Sequence, residues 1–161
     1  MSTPSAPAFA TWLDDFFAAY YRRHPVNATF IGEHAYDDLL PDLSESGIAT
    51  VLAETDDLLS RLRQLPDEPL TTWQTLDRQL AEGFLVVQRW ESSSLHFGAS
   101  NPVQFTSEAI FGLVSLLLHP TPERVQAGAE RLGLVADFLR TGMDQIHRAP
   151  EEWIDRAAVA V

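Results

Sequence analysis

Residues 9–25 read FATWLDDFFAAYYRRHP, and their apolar side chains recur at steps of three and four residues. This spacing is typical of a helix that buries one face. The predicted inner face consists of Phe9, Trp12, Leu13, Phe16, Phe17 and Tyr20. Arg22 and Arg23 suit the negative C-terminal end of such a helix. Pro25 should end it, because the residue before a proline avoids helical backbone angles. The stretch predicts an α-helix, and we expect the rest of the chain to be helical as well.

The same period continues through further segments that open at capping residues or prolines, namely Ser44, Thr71 or Thr72, Thr121 and Pro150. The predicted inner faces are Ile48, Val51, Leu52, Leu58, Leu59, Leu62 and Leu65 in the second helix, Trp73, Leu76, Leu80, Phe84, Val87 and Trp90 in the third, and Val125, Ala129, Leu132, Val135, Ala136, Leu139, Met143 and Ile146 in the fifth. No run alternates with period two for long enough to compete as a strand. The sequence predicts an all-α protein of five to six amphipathic helices.

The fourth helix, predicted in residues 101–120, NPVQFTSEAIFGLVSLLLHP, differs from the others. Asn101 is suited to cap it and Pro102 to occupy its first position. Residues 109–118 are apolar on nearly every side, yet a bilayer span needs about 20 such residues. We therefore expect a central helix that the other helices surround. Its predicted most buried residues are Ile110, Phe111, Val114 and Leu117.

The composition limits the possible classes of function. Twenty-three acidic residues and 11 basic residues give a formal net charge of −12. Such a surface repels phosphate backbones and anionic membranes, so we expect neither a nucleic-acid partner nor a membrane partner. The absence of cysteine excludes disulfides, thiolate nucleophiles and Cys-ligated zinc. The first residues lack the basic and apolar segments of a secretion signal, so the predicted location is the cytoplasm.

Polar side chains crowd into residues 24–44, HPVNATFIGEHAYDDLLPDLS. His34 and Asp37 stand three residues apart, a spacing that aligns side chains on a helix. Glu33 and Asp38 adjoin them. A zinc site of the H-E-x-x-H type needs two histidines four residues apart, and a calcium loop needs alternating acids with a central glycine. The segment has neither pattern, so we interpret it as a structured connection whose aspartates accept hydrogen bonds from backbone amides.

Serine and histidine meet again in residues 92–102, SSSLHFGASNP, which are predicted to connect the third and fourth helices. A Ser–His pair is the start of nucleophilic catalysis. No G-x-S-x-G pattern surrounds this one, and serines that follow a helix commonly cap or solvate its end. We therefore predict no catalytic, cofactor-binding or metal-binding residue in the chain. The polar groups that we expect to border a cleft are His34, Asp37 and His96.

Three blocks together resemble the start of the bacterial domain-of-unknown-function family 885, namely FFAAYYRRHPVNATFIGEHAYDDLLPDLS at residues 16–44, LDRQLAEGFLVVQRWE at residues 76–91 and NPVQF at residues 101–105. That family is similar to the zinc metallopeptidases of the thermolysin-like clan. Its members are longer, largely helical proteins that carry an H-E-x-x-x-x-H-H type zinc motif far downstream. No part of that motif occurs here, so the resemblance implies zinc only for the missing part of the family architecture. For these residues it implies a helical N-terminal region that packs against a peptidase-like cleft.

Residues 150–161, PEEWIDRAAVAV, predict a last helix that reaches the final residue without a capping glycine or asparagine. We therefore expect residues 1–161 to form one helical region, the N-terminal segment of a longer architecture, with the helix at 150–161 truncated. Two functions stay open. The first is part of a metallopeptidase-like hydrolase that is inactive alone and packs against the missing C-terminal catalytic region. The second is a stand-alone helical bundle that binds a protein partner, or itself, through an exposed apolar face.

Overall fold

The computed structural model describes residues 7–65, 69–94, 101–146 and 149–159. Within these ranges the chain forms helices and connecting turns, with no strand. The α-helices are α1 (Pro7–Arg23), α2 (Pro25–Ile31), α3 (Glu45–Arg63), α4 (Thr72–Ser93), α5 (Pro102–Leu117), α6 (Pro122–Gln145) and α7 (Glu151–Val159). The predicted all-α class is confirmed. The additional helix is α2, and it lies in the segment interpreted as a connection, followed by a 3-10 turn at His34–Tyr36.

Four helices begin at the side chains predicted to cap them. In each case a side-chain oxygen accepts a hydrogen bond from a backbone amide of the first turn, which has no partner within the helix. The capping residues are Ser44 for α3, Thr71 for α4, Asn101 for α5 and Thr121 for α6. Pro25 separates α1 from α2 as predicted, because His24 takes a non-helical backbone conformation between them. The local signals therefore place the helix starts correctly.

The helices enclose two separate apolar cores. The first lies where α1, α3 and α4 meet, and its buried members are Phe9, Trp12, Phe16, Ala19, Leu58, Leu59, Leu62, Ala81 and Leu85. Trp12 anchors it by donating a hydrogen bond from its indole nitrogen to the Leu58 carbonyl oxygen at 3.0 Å. The second core lies between α5 and α6 and contains Phe105, Ala109 and Phe138. The predicted inner face of α1 is confirmed except for Phe17, which is exposed.

The prediction of a central helix around Val114 is wrong. Phe111 is 53% exposed and Leu117 is 59% exposed, and Ile110 and Val114 also lie at the surface. α5 instead packs on one side only, against α2, α6 and α7. Its packed side carries small residues that allow close approach, and a Cβ atom at Gly112 would lie only 3.2 Å from the Arg131 side chain. A helix that is apolar all round gives no periodic signal, so the sequence could not indicate which side is packed.

The predicted inner face of α4 is also wrong. Trp73 is 75% exposed, and every other member of the predicted stripe is exposed as well. The buried residues of α4 are instead Ala81, Leu85 and Gln88, and Phe84, at the edge of the predicted face, contacts the rings of Phe16 and Tyr20 in α1. We call the exposed set the α4 stripe, and it consists of Trp73, Leu76, Leu80, Phe84, Val87 and Trp90.

The inner face of α6 is rotated from the prediction. Val125, Leu132 and Met143 are exposed, together with Ala129 and Ala136. The residues that face inward are Gly128, Arg131, Phe138 and Gly142, with Val135, Leu139 and Ile146 partly buried. The predicted face contained only apolar side chains, whereas the buried face includes the charged Arg131.

None of the helices in the described ranges combines the length and the hydropathy required to cross a membrane.

The contact between Gly142 and Phe105 gives a test of the α5–α6 packing. A Cβ atom at Gly142 would lie 2.7 Å from ring carbons of Phe105, whereas one at Gly133 meets no atom within 4 Å. We expect Gly142→Ala to lower the free energy of unfolding by about 1–3 kcal/mol through overpacking. The control, Gly133→Ala in the same helix, should raise it by up to about 1 kcal/mol. Urea denaturation measures both values, and equal effects would contradict the packing described here.

Candidate functional site

A cavity of about 620 Å³ opens beside the junction of α1 and α2. Its walls come from residues 22–24, residues 41–43, the first half of α3, the last turns of α4 and the first half of α5. Leu43, Ile48, Val51 and Val103 form an apolar patch, and most of the other lining side chains are polar or charged. Small-molecule sites in proteins have volumes of about 300–1,000 Å³, so the cavity has the size of a ligand site.

Arg23 organises one wall of this cavity. Its side chain is only 5% exposed, and its Nε donates a hydrogen bond to Glu54 Oε2 at 3.1 Å. Its Nη1 donates to Thr55 Oγ1 and to Gln88 Oε1, each at 3.1 Å. Arg22 donates to the other oxygen of Glu54 at 2.5 Å, so two arginines share one carboxylate. Burial lowers the pKa of Arg23 and Glu54 opposes that change. The network ties α1 to α3 and α4.

The same network fixes the tautomer of His24. Since Gln88 accepts from Arg23 through Oε1, its amide nitrogen faces His24 Nε2, which lies 3.0 Å away. That nitrogen must therefore accept, and Nδ1 carries the proton. Burial, together with the positive charge of Arg23, lowers the pKa of His24 to about 4. His24 is consequently neutral near pH 7, and it presents an Nδ1–H group that meets no acceptor among the described residues.

Two carboxylates of the cavity wall, those of Glu108 and Glu91, lack hydrogen-bond donors among the described residues. Glu108 in α5 is partly buried, and burial raises its pKa while the charge of Arg131 opposes the shift. Glu91 lies at the end of α4 and is exposed. Neither side chain accepts a hydrogen bond from another described residue. Asp42, by contrast, accepts from the Ser44 amide at 3.0 Å, as predicted for the aspartates of this segment. The lining holds four carboxylates and two arginines, so its net charge is negative.

The structure brings the predicted pair His34 and Asp37 together outside this cavity. His34 Nδ1 donates to Asp37 Oδ2 at 3.0 Å, and its Nε2 accepts from Arg124 Nη2 at 2.9 Å. Asp37 is buried, and its Oδ1 accepts from Thr29 Oγ1 at 2.7 Å. Both ring nitrogens of His34 are thus engaged. Neither residue lines the 620 Å³ cavity, and His96, the third predicted residue, lies outside the described residues.

Arg131 completes this second network and was missed by the sequence analysis. Its side chain is fully buried, at 0% exposure. Nη1 donates to the Gly112 carbonyl oxygen at 2.7 Å, and Nη2 donates to Thr29 Oγ1 at 3.1 Å and to the Tyr36 carbonyl oxygen at 3.0 Å. Burial lowers the pKa of Arg131, and the charge of Asp37 opposes that shift. One guanidinium therefore joins α6 to α5, to α2 and to the 3-10 turn.

No three histidine, aspartate or glutamate side chains in the described part of the chain lie close enough together to hold a metal ion.

Removing Arg131 should be severely destabilising. Arg131→Met removes the hydrogen bonds to Gly112, Thr29 and Tyr36, and it removes the positive charge near the buried Asp37. Breaking a buried network of this kind typically costs about 3–5 kcal/mol. The control is Arg140→Met in the same helix, because Arg140 pairs with Asp137 at the surface, where an ion pair contributes about 0–1 kcal/mol. Urea denaturation of both variants gives the comparison, and similar losses would show that burial of Arg131 is unimportant.

The depressed pKa of His24 predicts a loss of stability in acid. An unfolded histidine titrates near 6.5, whereas folded His24 titrates at about 4, so the unfolded chain binds the proton first. The contribution of His24 is present above pH 6.5 and is lost as the pH falls towards 4. Between pH 7 and pH 4.5 this loss should reach about 2–3 kcal/mol. In His24→Gln the free energy of unfolding should lack this part of its dependence on pH, and urea unfolding midpoints at the two pH values test this. Identical slopes in the two proteins would contradict the assignment.

Comparison with models of protein families gives a match over most of the chain. A model of the family described as "Bacterial protein of unknown function (DUF885)" matches residues 25–161, which include α2 to α7 and all but the first residues of the cavity wall. No curated protein and no solved structure matches the chain. Because the match covers most of the sequence, the chain belongs to the DUF885 family of bacterial proteins of unknown function.

Proposed function

We propose that this chain is a helical region of a cytoplasmic, metallopeptidase-like hydrolase that docks against the catalytic part of the enzyme and does not itself cleave peptides. The resemblance of the family to zinc metallopeptidases motivates the type of enzyme. The observation that carries the proposal is the large apolar surface of α4 and α5. The cavity beside His24 is, in this proposal, one wall of the cleft into which the substrate extends.

The α4 stripe has the properties of a docking surface. Its six side chains include two tryptophans and extend over about 25 Å along one helix. Ile110, Phe111, Val114 and Leu117 add an exposed apolar face on α5. Large exposed apolar patches mark interaction sites, and tryptophan is enriched among the residues that dominate binding energy. A partner that covers these faces would bury side chains that water solvates poorly.

The histidines of the two networks support a role without catalysis. A general base needs a free basic nitrogen within reach of the proton that it removes. His24 Nε2 already accepts from Gln88, and His34 Nε2 already accepts from Arg124. Both histidines therefore act as fixed hydrogen-bonding groups. The residues that perform hydrolysis, in this proposal, belong to the catalytic part that carries the zinc motif of the family.

The alternative function is a protein-interaction module that acts alone through the same α4 stripe. The exposed tryptophans favour it equally, because they suit any apolar partner, including a second copy of the chain. The two functions differ in their partner, since only the first requires the catalytic part of a longer DUF885 protein.

A matched pair of variants tests the docking. Leu80 belongs to the α4 stripe, and the neighbouring Gln79 is exposed on another side of α4. We expect the chain to bind the separately expressed, zinc-motif-bearing part of a longer DUF885 protein. Leu80→Glu should weaken this binding by about a hundredfold, because it buries an unpaired charge, while Gln79→Glu should leave it unchanged. Isothermal titration calorimetry measures the affinities, and circular dichroism confirms that both variants fold.

Other outcomes distinguish the alternatives. Self-association that Leu80→Glu abolishes, together with no binding to the catalytic part, would favour the interaction module. Metal-dependent peptide cleavage by the isolated 161-residue chain would contradict both functions, since it requires a bound metal ion and no three potential ligands lie together among the described residues.

A further inference from the structure

We propose that the 620 Å³ cavity binds a short peptide through a positively charged nitrogen, in an ammonium or guanidinium group. Glu108 and Glu91 supply the counter-charges, and His24 donates a hydrogen bond. This inference deepens the proposed function and rests on it for the peptide nature of the ligand, because it names the chemistry of the group that the cleft would hold. It is carried by the cavity, by the charges of its walls and by an independent polar group, the Nδ1–H of His24.

The charges of the cavity do not balance. Two arginines, Arg22 and Arg23, stand against the four carboxylates Asp42, Glu54, Glu91 and Glu108. Both arginines are committed to Glu54, and Asp42 accepts from the amide and the hydroxyl of Ser44. His24 adds no charge at neutral pH. Two positive and four negative groups give the lining a net charge of −2, and neither Glu91 nor Glu108 forms an ion pair with another described residue. A partly enclosed site concentrates the effect of this charge on a ligand.

Glu108 is the lining carboxylate that this charge distribution leaves most poorly solvated. A partly buried carboxylate without hydrogen-bond donors is poorly solvated, and the raised pKa of Glu108 reflects that environment. Arg131 is the cation whose charge acts on Glu108, but its hydrogen bonds go to Gly112, Thr29 and Tyr36. A cationic ligand would supply both the charge and the donors that Glu108 lacks. The side chain is therefore arranged for a group that arrives from the cavity.

His24 supplies the second requirement of a peptide-like ligand. Its Nδ1–H is held in one tautomer by the Arg23–Gln88 hydrogen bond, so the donor is oriented before any ligand binds. Because Nδ1–H meets no acceptor in the described part of the chain, it is available to a carbonyl oxygen. Ile48, Val51 and Val103 offer apolar contact in the same cavity. A counter-charge, a donor and an apolar patch together match a peptide with a basic group.

The test compares two probes that have nearly the same shape and differ in charge, N-acetyl-arginine amide and N-acetyl-citrulline amide. Titration calorimetry of the 161-residue chain should show binding of the arginine probe and about tenfold or more weaker binding of the citrulline probe, as expected for loss of a charge-assisted hydrogen bond. Glu108→Gln should remove the preference. Glu152→Gln is the control, because it makes the same change at an exposed residue of α7 that does not line the cavity.

Glu91→Gln serves as a second variant, since Glu91 is exposed and its loss should not disturb folding. It should also reduce the preference for the arginine probe. Equal binding of the two probes, binding of neither, or equal effects of Glu108→Gln and Glu152→Gln would overturn the inference. Failure here is distinguishable from failure of the proposed function, because docking is read out with Leu80→Glu on the α4 stripe, whose residues do not line the cavity.

Discussion

The buried guanidinium of Arg131 is the constraint on which the arrangement of α2, α5 and α6 depends. A charge placed in a protein interior costs several kcal/mol unless it is paired and hydrogen-bonded, so the surrounding residues must be positioned for it. The carbonyl oxygen of Gly112 accepts a hydrogen bond from Arg131, and Gly112 has no side chain that would block this contact. Thr29 and Tyr36 provide the remaining acceptors. These hydrogen bonds hold the segment between α1 and α3 in place, because few side chains of that segment belong to either apolar core.

Arg23 has the corresponding role on the other side of the same segment. It joins the end of α1 to Thr55 in α3 and to Gln88 in α4, and through Gln88 it determines the tautomer of His24. The cavity lies beside this network, and its walls come from helices of both cores. The Nη2 atom of Arg23 is buried without a hydrogen-bond partner among the described residues, so the network is not fully satisfied. Its other hydrogen bonds act together with apolar packing to position this wall of the cavity.

The local features were predictable from the sequence and the long-range ones were not. Ser44, Thr71, Asn101 and Thr121 cap their helices through contacts within two or three residues, so their neighbours in the sequence contain the whole signal. The His34–Asp37 pair follows from its spacing in the same way. Gln88 and His24, however, are 64 residues apart, and Arg131 and Thr29 are 102 residues apart. No pattern in the sequence marks these as partners, and charge alone argues against placing Arg131 inside.

The errors in the predicted helix faces have a common physical cause. The α4 stripe and residues 110–117 of α5 have the composition and period of buried surfaces, and periodicity cannot distinguish burial within a chain from burial against another surface. α4 buries Ala81, Leu85 and Gln88, and α5 buries Phe105 and Leu116 beside the small residues Ala109, Gly112 and Ser115. Trp73, Trp90 and Phe111 remain outside. Small residues permit close helix packing, while large aromatic residues dominate contacts between separate surfaces. The large apolar side chains that α4 and α5 keep in contact with water are thus the physical reason for placing the docking surface on their outer faces.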